Sequence, residues 1–391
     1  MPEAVIVSAC RTPIGSFLGA LRSLPATRLG ALVVEEAIRR AGIQKTDVQE
    51  VVMGNVLTAG EGQAPARQAA LFAGLPESVE CMTVNKVCGS GLKAVMLAAQ
   101  SVRIGDAEIV VAGGMESMSN VPYAIENART GLRLGNGEVT DLMVKDGLWD
   151  VYNNFHMGSA AELCARECSV PREAQDEYSI RSYQRAQEAT TKGWFKEEIV
   201  PVSIASRDGE IVVEKDEDPF KTNFEKIPKL KPVFQKDGTV TAANASKIND
   251  GAAAVVVMSE DRAKAMGLKP LARIVAYSSA AKKPEWFTTA PVDVIRKTLE
   301  RAGLKQDDID LFEINEAFAV VTLAVNKMLG LDETKVNVHG GAVALGHPIG
   351  ASGARILVTL LHALRTRKKR RGMAAICIGG GEASGMIVDL V

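Results

Sequence analysis

Histidine is scarce in this chain of 391 residues, with four in all, and aromatic residues make up only 5%. Any catalytic histidine therefore has few candidates. An excess of one charge is also missing. The 46 Lys and Arg nearly balance the 47 Asp and Glu, and a formal net charge of −1 argues against a general nucleic-acid binder. No apolar run approaches the ~20 residues needed to span a bilayer, so no membrane partner is expected. The first apolar run, AVIVSA from Ala4, reads as a strand, and no basic segment leads into an apolar core there. A cytoplasmic protein is the expectation, with a processed mitochondrial form as the alternative. Six cysteines are scattered rather than set out as a disulfide framework, which suits a reducing compartment.

What is present is core material. Hydrophobic residues reach 47%, enough for sizeable cores, and 391 residues suffice for two or more domains at about 100–200 residues each. The one conspicuous charge run, RTRKKRR from Arg365 to Arg371, follows the apolar helical stretch ARILVTLLHAL. Cations at a helix C-terminus complement its dipole, which explains the run without a nucleic acid. In ELCAREC, Cys164 and Cys168 lie one helical turn apart, but two cysteines without further close ligands make a poor metal site.

The chain also repeats itself. RRAGIQKTDVQEVVMGNV from Arg39 is matched by ERAGLKQDDIDLFEINEAF from Glu300, each a helix, an Ala-Gly stop, an acidic turn and an apolar strand. CGSGLKAVMLAAQSV matches IGASGARILVTLLHAL, and GDAEIVVAGGMESM matches RGMAAICIGGGEASGM, in the same order and at an offset of about 260 residues. A duplicated, layered α/β unit with mostly parallel strands follows. Residues 1–119 form the first half, completed by about 250–268, and residues 269–391 form the second. Between them, 120–249 is rich in polar turns and helical pieces such as REAQDEYSIRSYQRAQEATTKG, and reads as an insertion capping the first half.

In NKVCGSGLKAV, Asn85 to Val95, a cysteine stands against Gly-Ser-Gly. The β-branched segment ECMTVNKV precedes it, and Leu92, Val95, Met96 and Ala99 recur at helical spacing after it. Cys88 thus sits on a strand-to-helix turn, where free backbone N–H groups and the helix dipole lower a thiol pKa and can hold an oxyanion. Most free cysteines are small buried hydrophobes, so the stretch alone leaves nucleophile and core residue both open. A partner base must decide. His347, in GGAVALGHPIGASGAR, lies among five glycines from Gly340 to Gly353, on the turn that the repeat makes equivalent to that of Cys88. A histidine facing a cysteine is the pairing that forms a thiolate nucleophile. Cys377 ends the strand AAICIGGG, and Asn315 in INEAF ends another. An asparagine at a strand end is disfavoured unless it has a hydrogen-bonding task.

With these residues in view the sequence resembles the thiolase family, in its short-chain group, over essentially the whole chain. NKVCGSGLKAV, GGMESMSNVPY, HMGSAAE, NEAFA and GGAVALGHPIGASGAR carry the resemblance. It implies a duplicated thiolase fold in five layers, α/β/α/β/α, with an inserted loop domain. It also implies reversible Claisen condensation of two acetyl-CoA to acetoacetyl-CoA and CoA through an acyl-cysteine. Carried over by motif, Cys88 is the acyl-accepting nucleophile and His347 its base, and Cys377 moves the α-proton. Asn315 fixes a water that forms one oxyanion hole with His347, and the N–H groups of Cys88 and Gly379 form the other. His156, Met157 and Ser246 would meet pantetheine, and Phe318 would line the acyl pocket. Lys221, Thr222, Asn223 and Lys226 would face the nucleotide end. No resident cofactor is required, CoA being substrate and product.

TAANASK departs from the TAGNASG of many bacterial members. The Ala-Ala form, with Tyr183 in RSYQRA, resembles a potassium-responsive subgroup. That implies a potassium ion on the carbonyls of Ala242, Ala243, Ala245 and Val343 and on the Tyr183 side chain, although Lys247 is unusual in such a loop. Glu382 near Cys377 is also uncommon there. A broader-chain 3-ketoacyl-CoA thiolase of β-oxidation is the alternative within the family. A ketoacyl synthase would carry histidine where this chain has Cys377. The resemblance further implies a homo-oligomer, a tetramer built as a dimer of dimers.

Overall fold

The structure, a computed structural model, describes residues 2–206 and 209–391. Its main sheet has nine strands along its path: β1 (Ala4–Arg11), β2 (Glu50–Gly54), β3 (Glu80–Val84), β4 (Ile109–Ser117), β5 (Asn249–Ser259), β6 (Ala272–Ala281), β7 (Leu311–Ile314), β8 (Arg371–Ile378) and β9 (Glu382–Leu390). The first half runs β3-β2-β4-β5-β1 and the second runs β7-β8-β9-β6. Pairing repeats between them: β2 with β4 is parallel like β7 with β8, and β4 with β5 is antiparallel like β8 with β9, so the sheet is mixed rather than mostly parallel as the sequence pattern suggests, because the late strands return beside the parallel ones in the opposite direction. An isolated parallel bridge from Phe312 to Val336 stands where β3 pairs with β2 in the first half. A short pairing, Val5 with Arg273 and Ile6 with Ala272, joins the halves.

Alternation of side chains across each strand separates three cores. On one face of the first half, Val5, Val51, Val111 and Val256 pack on helices α1 (Ala26–Ala41) and α2 (Pro65–Phe72). On the far face of the second half, Phe312, Met373 and Ile387 pack against α7 (Ala290–Ala302), with Val325 of α8 (Ala319–Leu329). The inner faces of both halves share one core around α3 (Ser90–Ile104) and α10 (Ile349–Thr366). Those are the five layers.

The two central helices cross at their first turns. A Cβ on Gly91 would lie 2.8 Å from the Ala354 nitrogen, and one on Gly353 would lie 2.4 Å from the Leu92 nitrogen. A Cβ on Gly114, at the end of β4, would lie 2.1 Å from the Gly350 carbonyl oxygen. Small residues are needed because backbone meets backbone there.

The insertion carries α4 (Met157–Glu167) and α5 (Arg172–Thr191), ahead of the short α6 (Glu260–Ala265) that follows β5, and reaches further than a cap on the first half. Buried Arg11 of β1 pairs with Glu198 and Asp216, both at 2.6 Å, which ties it to the first half. Yet Tyr178 and Ser182 of α5 donate to Glu316, at 2.7 and 2.8 Å, just before α8. Buried Glu316 also accepts from the Asn337 side chain and the Val343 N–H. Its many donors draw α5 over the second half, which the sequence pattern did not reveal.

Gly353→Ala should lower stability by about 1–3 kcal/mol, the usual cost of overpacking, since the atoms it meets are backbone. Thermal unfolding checks this; an unchanged midpoint would show that α3 and α10 part freely.

Candidate active site

Cys88 follows β3 and stands two residues before α3, on the expected strand-to-helix turn. Its neighbour Val87 has φ 44, a left-handed conformation unusual for a β-branched residue. The strain is held by Ser90, whose hydroxyl accepts from the Lys86 N–H at 2.8 Å and donates to the Val87 carbonyl at 2.6 Å. His347 lies just before α10, after the short helix α9 (Ala342–Leu345). Both line one cavity of about 220 Å³ with His156, Met157, Phe234, Ser246, Phe287, Phe318 and Gly379.

The electrostatics correct one expectation. The helix terminus does not lower the Cys88 pKa: burial pushes the thiol up to about 11, although the N–H groups of Gly379 and of Cys88 itself are directed at its sulfur and oppose this. His347 is pushed down to about 3, first by burial and then by the nearby Arg355 charge. The resting pair is therefore a neutral thiol and a neutral imidazole. The tautomer follows from Ser352. Its hydroxyl proton goes to the Pro348 carbonyl at 2.9 Å, so the oxygen accepts from His347 Nδ1–H at 2.6 Å. Nε2 is left with its lone pair, buried and without a partner among the described residues. It is placed to take a proton.

Cys377, near the end of β8, is fully buried, and burial raises its pKa well above the ordinary value. Its charge and that of Cys88 raise one another's cost, and the Ala317 N–H is directed at its sulfur. Asn315 is fully buried just past β7, and neither side-chain atom has a partner among the described residues. Orphaned amide atoms in a core are costly unless they serve something that enters.

His156 also caps α4, accepting from the Gly158 N–H at 3.0 Å, and stacks on Phe234 at 4.8 Å. Phe318 meets Phe234 and Phe287 edge-on. A second cavity of about 400 Å³ shares Phe234, Ala245, Ser246, Lys247 and Ile248 with the first and reaches Ser16, Phe17 and Asp218. Lys221 donates to the Ser16 hydroxyl and to Glu217, both at 2.8 Å, which puts it beside that second cavity. Thr222, Asn223 and Lys226 follow on the same segment and line neither cavity. Of the groups assigned to potassium, Tyr183 and Val343 are buried and both hydrogen-bond the Lys247 ammonium, while Ala243 and Ala245 are buried and Ala242 is exposed.

Three supporting residues escaped the sequence reading. Buried Glu116, inside GGMES, accepts from the Asn55 side chain and the N–H groups of Val56, Leu57 and Gly350, binding both halves beside His347. The Asn249 side chain accepts the His347 N–H at 3.0 Å and donates to Gly15 and Asp218. Lys86 pairs with Glu382, so the uncommon glutamate faces the nucleophile loop. Glu116 alone had a signal, a carboxylate ending an apolar strand.

The models for the N-terminal and C-terminal domains of thiolase match residues 4–261 and 268–390. The chain is 55% identical over 389 residues to the mitochondrial acetyl-CoA acetyltransferase of Bos taurus, covering 99% of this chain and 91% of that one. It is 53% identical over 391 residues to the acetyl-CoA acetyltransferase of Cupriavidus necator, covering 100% of each. Among solved structures, the Bacillus anthracis acetyl-CoA acetyltransferase superposes with a TM-score of 0.98 at 44% identity, covering 100% of this chain and 99% of that one. A thiolase of Ascaris suum in complex with coenzyme A superposes with 0.95 at 45% identity and full coverage of both.

Because the folded His347 pKa lies below its unfolded value of 6.5, the unfolded chain binds more protons between about 3 and 6.5. The stability this group contributes is whole above 6.5 and drains as pH falls toward 3. His347→Asn should therefore lose less of its thermal midpoint than the parent between about pH 7 and pH 5. Equal losses would mean that His347 titrates normally in the native state.

Proposed function

The chain belongs to the thiolase family, and from that premise we propose how its side chains divide the work of an acetyl-CoA C-acetyltransferase. It catalyses the reversible condensation of two acetyl-CoA to acetoacetyl-CoA and CoA, and the matching thiolysis. One observation carries the assignment of roles: the Cys88 thiol from the first half and His347, whose Nε2 has no partner among the described residues, from the second line one small apolar cavity, with the buried Cys377 thiol near enough for its charge to be felt at Cys88.

His347 Nε2 takes the Cys88 proton as the sulfur attacks the acetyl-CoA carbonyl. The C–S bond to CoA breaks, and the leaving thiolate takes the Cys377 proton. Acetyl-Cys88, an imidazolium and a Cys377 thiolate remain. That thiolate, made strongly basic by burial, removes an α-proton from the second acetyl-CoA. The carbanion attacks acetyl-Cys88, acetoacetyl-CoA forms, and the expelled Cys88 thiolate recovers its proton from His347. The N–H groups of Cys88 and Gly379 stabilise the oxyanion on the first carbonyl, and Asn315, through a water, with His347 stabilises the enolate oxygen.

Pantetheine runs past His156, Met157 and Ser246, and the nucleotide end lies outward toward Lys221, Thr222, Asn223 and Lys226 on the loop domain of residues 120–249. Walls of Met157, Phe234, Phe287 and Phe318 favour a short acyl group over the longer chains of a β-oxidation thiolase. A chain-length series of 3-ketoacyl-CoA cleavage rates separates the two: the C4 substrate should be fastest, and a rate rising with length would overturn the short-chain reading. Six free cysteines suit a cytoplasmic enzyme of lipid metabolism.

The sheet edge supports a homotetramer built as a dimer of dimers. Strand β3 ends the sheet, leads into the nucleophile loop, and leaves Met82 46% exposed. Pairing two such edges hides them and braces both sites. Tyr123, Ile125, Leu134, Val151 and Tyr152, exposed on the insertion, supply a surface for joining dimers. Light scattering should give a mass near four times 41.6 kDa; a fully active monomer would overturn the edge argument.

Brief exposure to acetyl-CoA should place the label on Cys88, read by peptide mass mapping. Cys377→Ala should still accept that label yet condense about 10²–10⁴-fold more slowly, the usual worth of a general base. Label on Cys377 alone, or condensation at the parental rate, would reverse the roles.

A further inference from the structure

The loop from Thr241 to Ile248 carries Ser246 and Lys247 along the walls of both cavities. It is held at one end by the Asn244 side chain, which accepts the Thr241 N–H at 2.7 Å and donates to Asp176 of α5 at 3.1 Å. It is held again where the Ser246 N–H donates to the Ala317 carbonyl at 3.0 Å. Just past these ties, at Lys247, the loop meets two fully buried groups from elsewhere in the fold, the Tyr183 hydroxyl on α5 and the Val343 carbonyl on α9. The resemblance assigns both to a potassium ion, with the carbonyls of Ala242, Ala243 and Ala245.

The side chains present do not fit a free potassium ion. Lys247 Nζ donates to the Tyr183 hydroxyl and to the Val343 carbonyl at 3.3 Å, and lies 4.5 Å from the centre of the Tyr183 ring. Two of the five groups therefore already serve a cation. A second positive charge sharing those oxygens would be repelled by the first at close range. The ammonium is a compact point charge with three donors on a flexible stem, the side chain best able to imitate a bound monovalent ion. The aromatic face adds attraction for the same charge.

We propose that Lys247 is a tethered replacement for the monovalent cation, so that this chain orders its CoA-facing loop without potassium. The ammonium joins three segments: the loop bearing Ser246, helix α5 of the insertion, and α9, which leads within a few residues to His347. Lys247 is thus a positioning residue. It touches neither reacting carbon, and it fixes the loop through which pantetheine passes. A tethered ion is present at every salt composition, whereas a free ion orders the loop only as far as it binds. The link to pantetheine rests on the function proposed above; the link to a cation site does not.

The experiment compares the parent chain with Lys247→Ala and Lys247→Thr in potassium chloride and in sodium chloride at equal ionic strength. Thermal midpoint is read without substrate, and KM for CoA and kcat are read in thiolysis of acetoacetyl-CoA. The parent should show the same midpoint and KM in both salts. Each variant in sodium should show a lower midpoint and a KM for CoA raised about tenfold, the worth of a lost charged hydrogen bond, with a smaller change in kcat. Potassium should restore midpoint and KM in the variants more than sodium does. A potassium-selective rise in the parent midpoint would overturn the proposal. So would variants with parental midpoint and KM in sodium, or a loss that neither salt restores. If the midpoints behave as stated and KM for CoA does not move, the cation replacement stands and the pantetheine path fails.

Discussion

The near-contact of α3 and α10 at Gly91 and Gly353 is the constraint from which the rest of the site follows. Each helix begins at the end of the turn that carries one of the groups proposed to react, Cys88 on the first and His347 on the second. With a side chain at either glycine the backbones could not approach so closely, and the two turns would separate. Because the helices also form the middle layer, every strand of both halves packs, directly or through neighbours, against the element that sets the distance between thiol and imidazole. Folding of the core and assembly of the site are one event.

Burial then decides the electrostatics. A thiol before a helix would be acidified in the open, but here desolvation outweighs the backbone donors, and the imidazole is desolvated too. The neutral pair avoids the cost of two isolated buried charges, and in the proposed mechanism it ionises only as substrate is attacked. Around it the polar groups are satisfied one by one: Ser352 fixes the tautomer, Asn249 holds the backbone of His347, and Glu116 holds that of Gly350. His347 Nε2 and the Asn315 amide atoms are among the buried atoms without a partner among the described residues, and they are the ones to which the proposed mechanism gives a task on the incoming thioester.

The insertion serves as the third body of the site. Glu316 collects donors from α5 and from the Asn337–Val343 segment, and Arg11 collects Glu198 and Asp216. Together they seat the loop domain on both halves, so that Met157 and Phe234 line the cavity together with Phe287 and Phe318. Lys247 completes this join from the loop that bears Ser246.

The order of residues by itself determined the duplication, the positions of Cys88, His347, Cys377 and Asn315 at strand or helix ends, and the late return of the chain to complete the first sheet. Those features are local: periodicity, glycine-rich turns and a repeated order of elements all lie in the linear pattern. Only the tertiary structure decided what depends on distance through space. The raised Cys88 pKa comes from burial by segments far along the chain, and the pairing of Lys86 with Glu382 spans the two halves. The reach of α5 over the second half depends on a carboxylate whose donors no spacing foretells. Lys247 was legible only as an odd residue in its loop. That its ammonium meets Tyr183 and Val343 required α5 and α9 to be folded against it, because a side-chain contact between distant segments leaves no periodic trace in either.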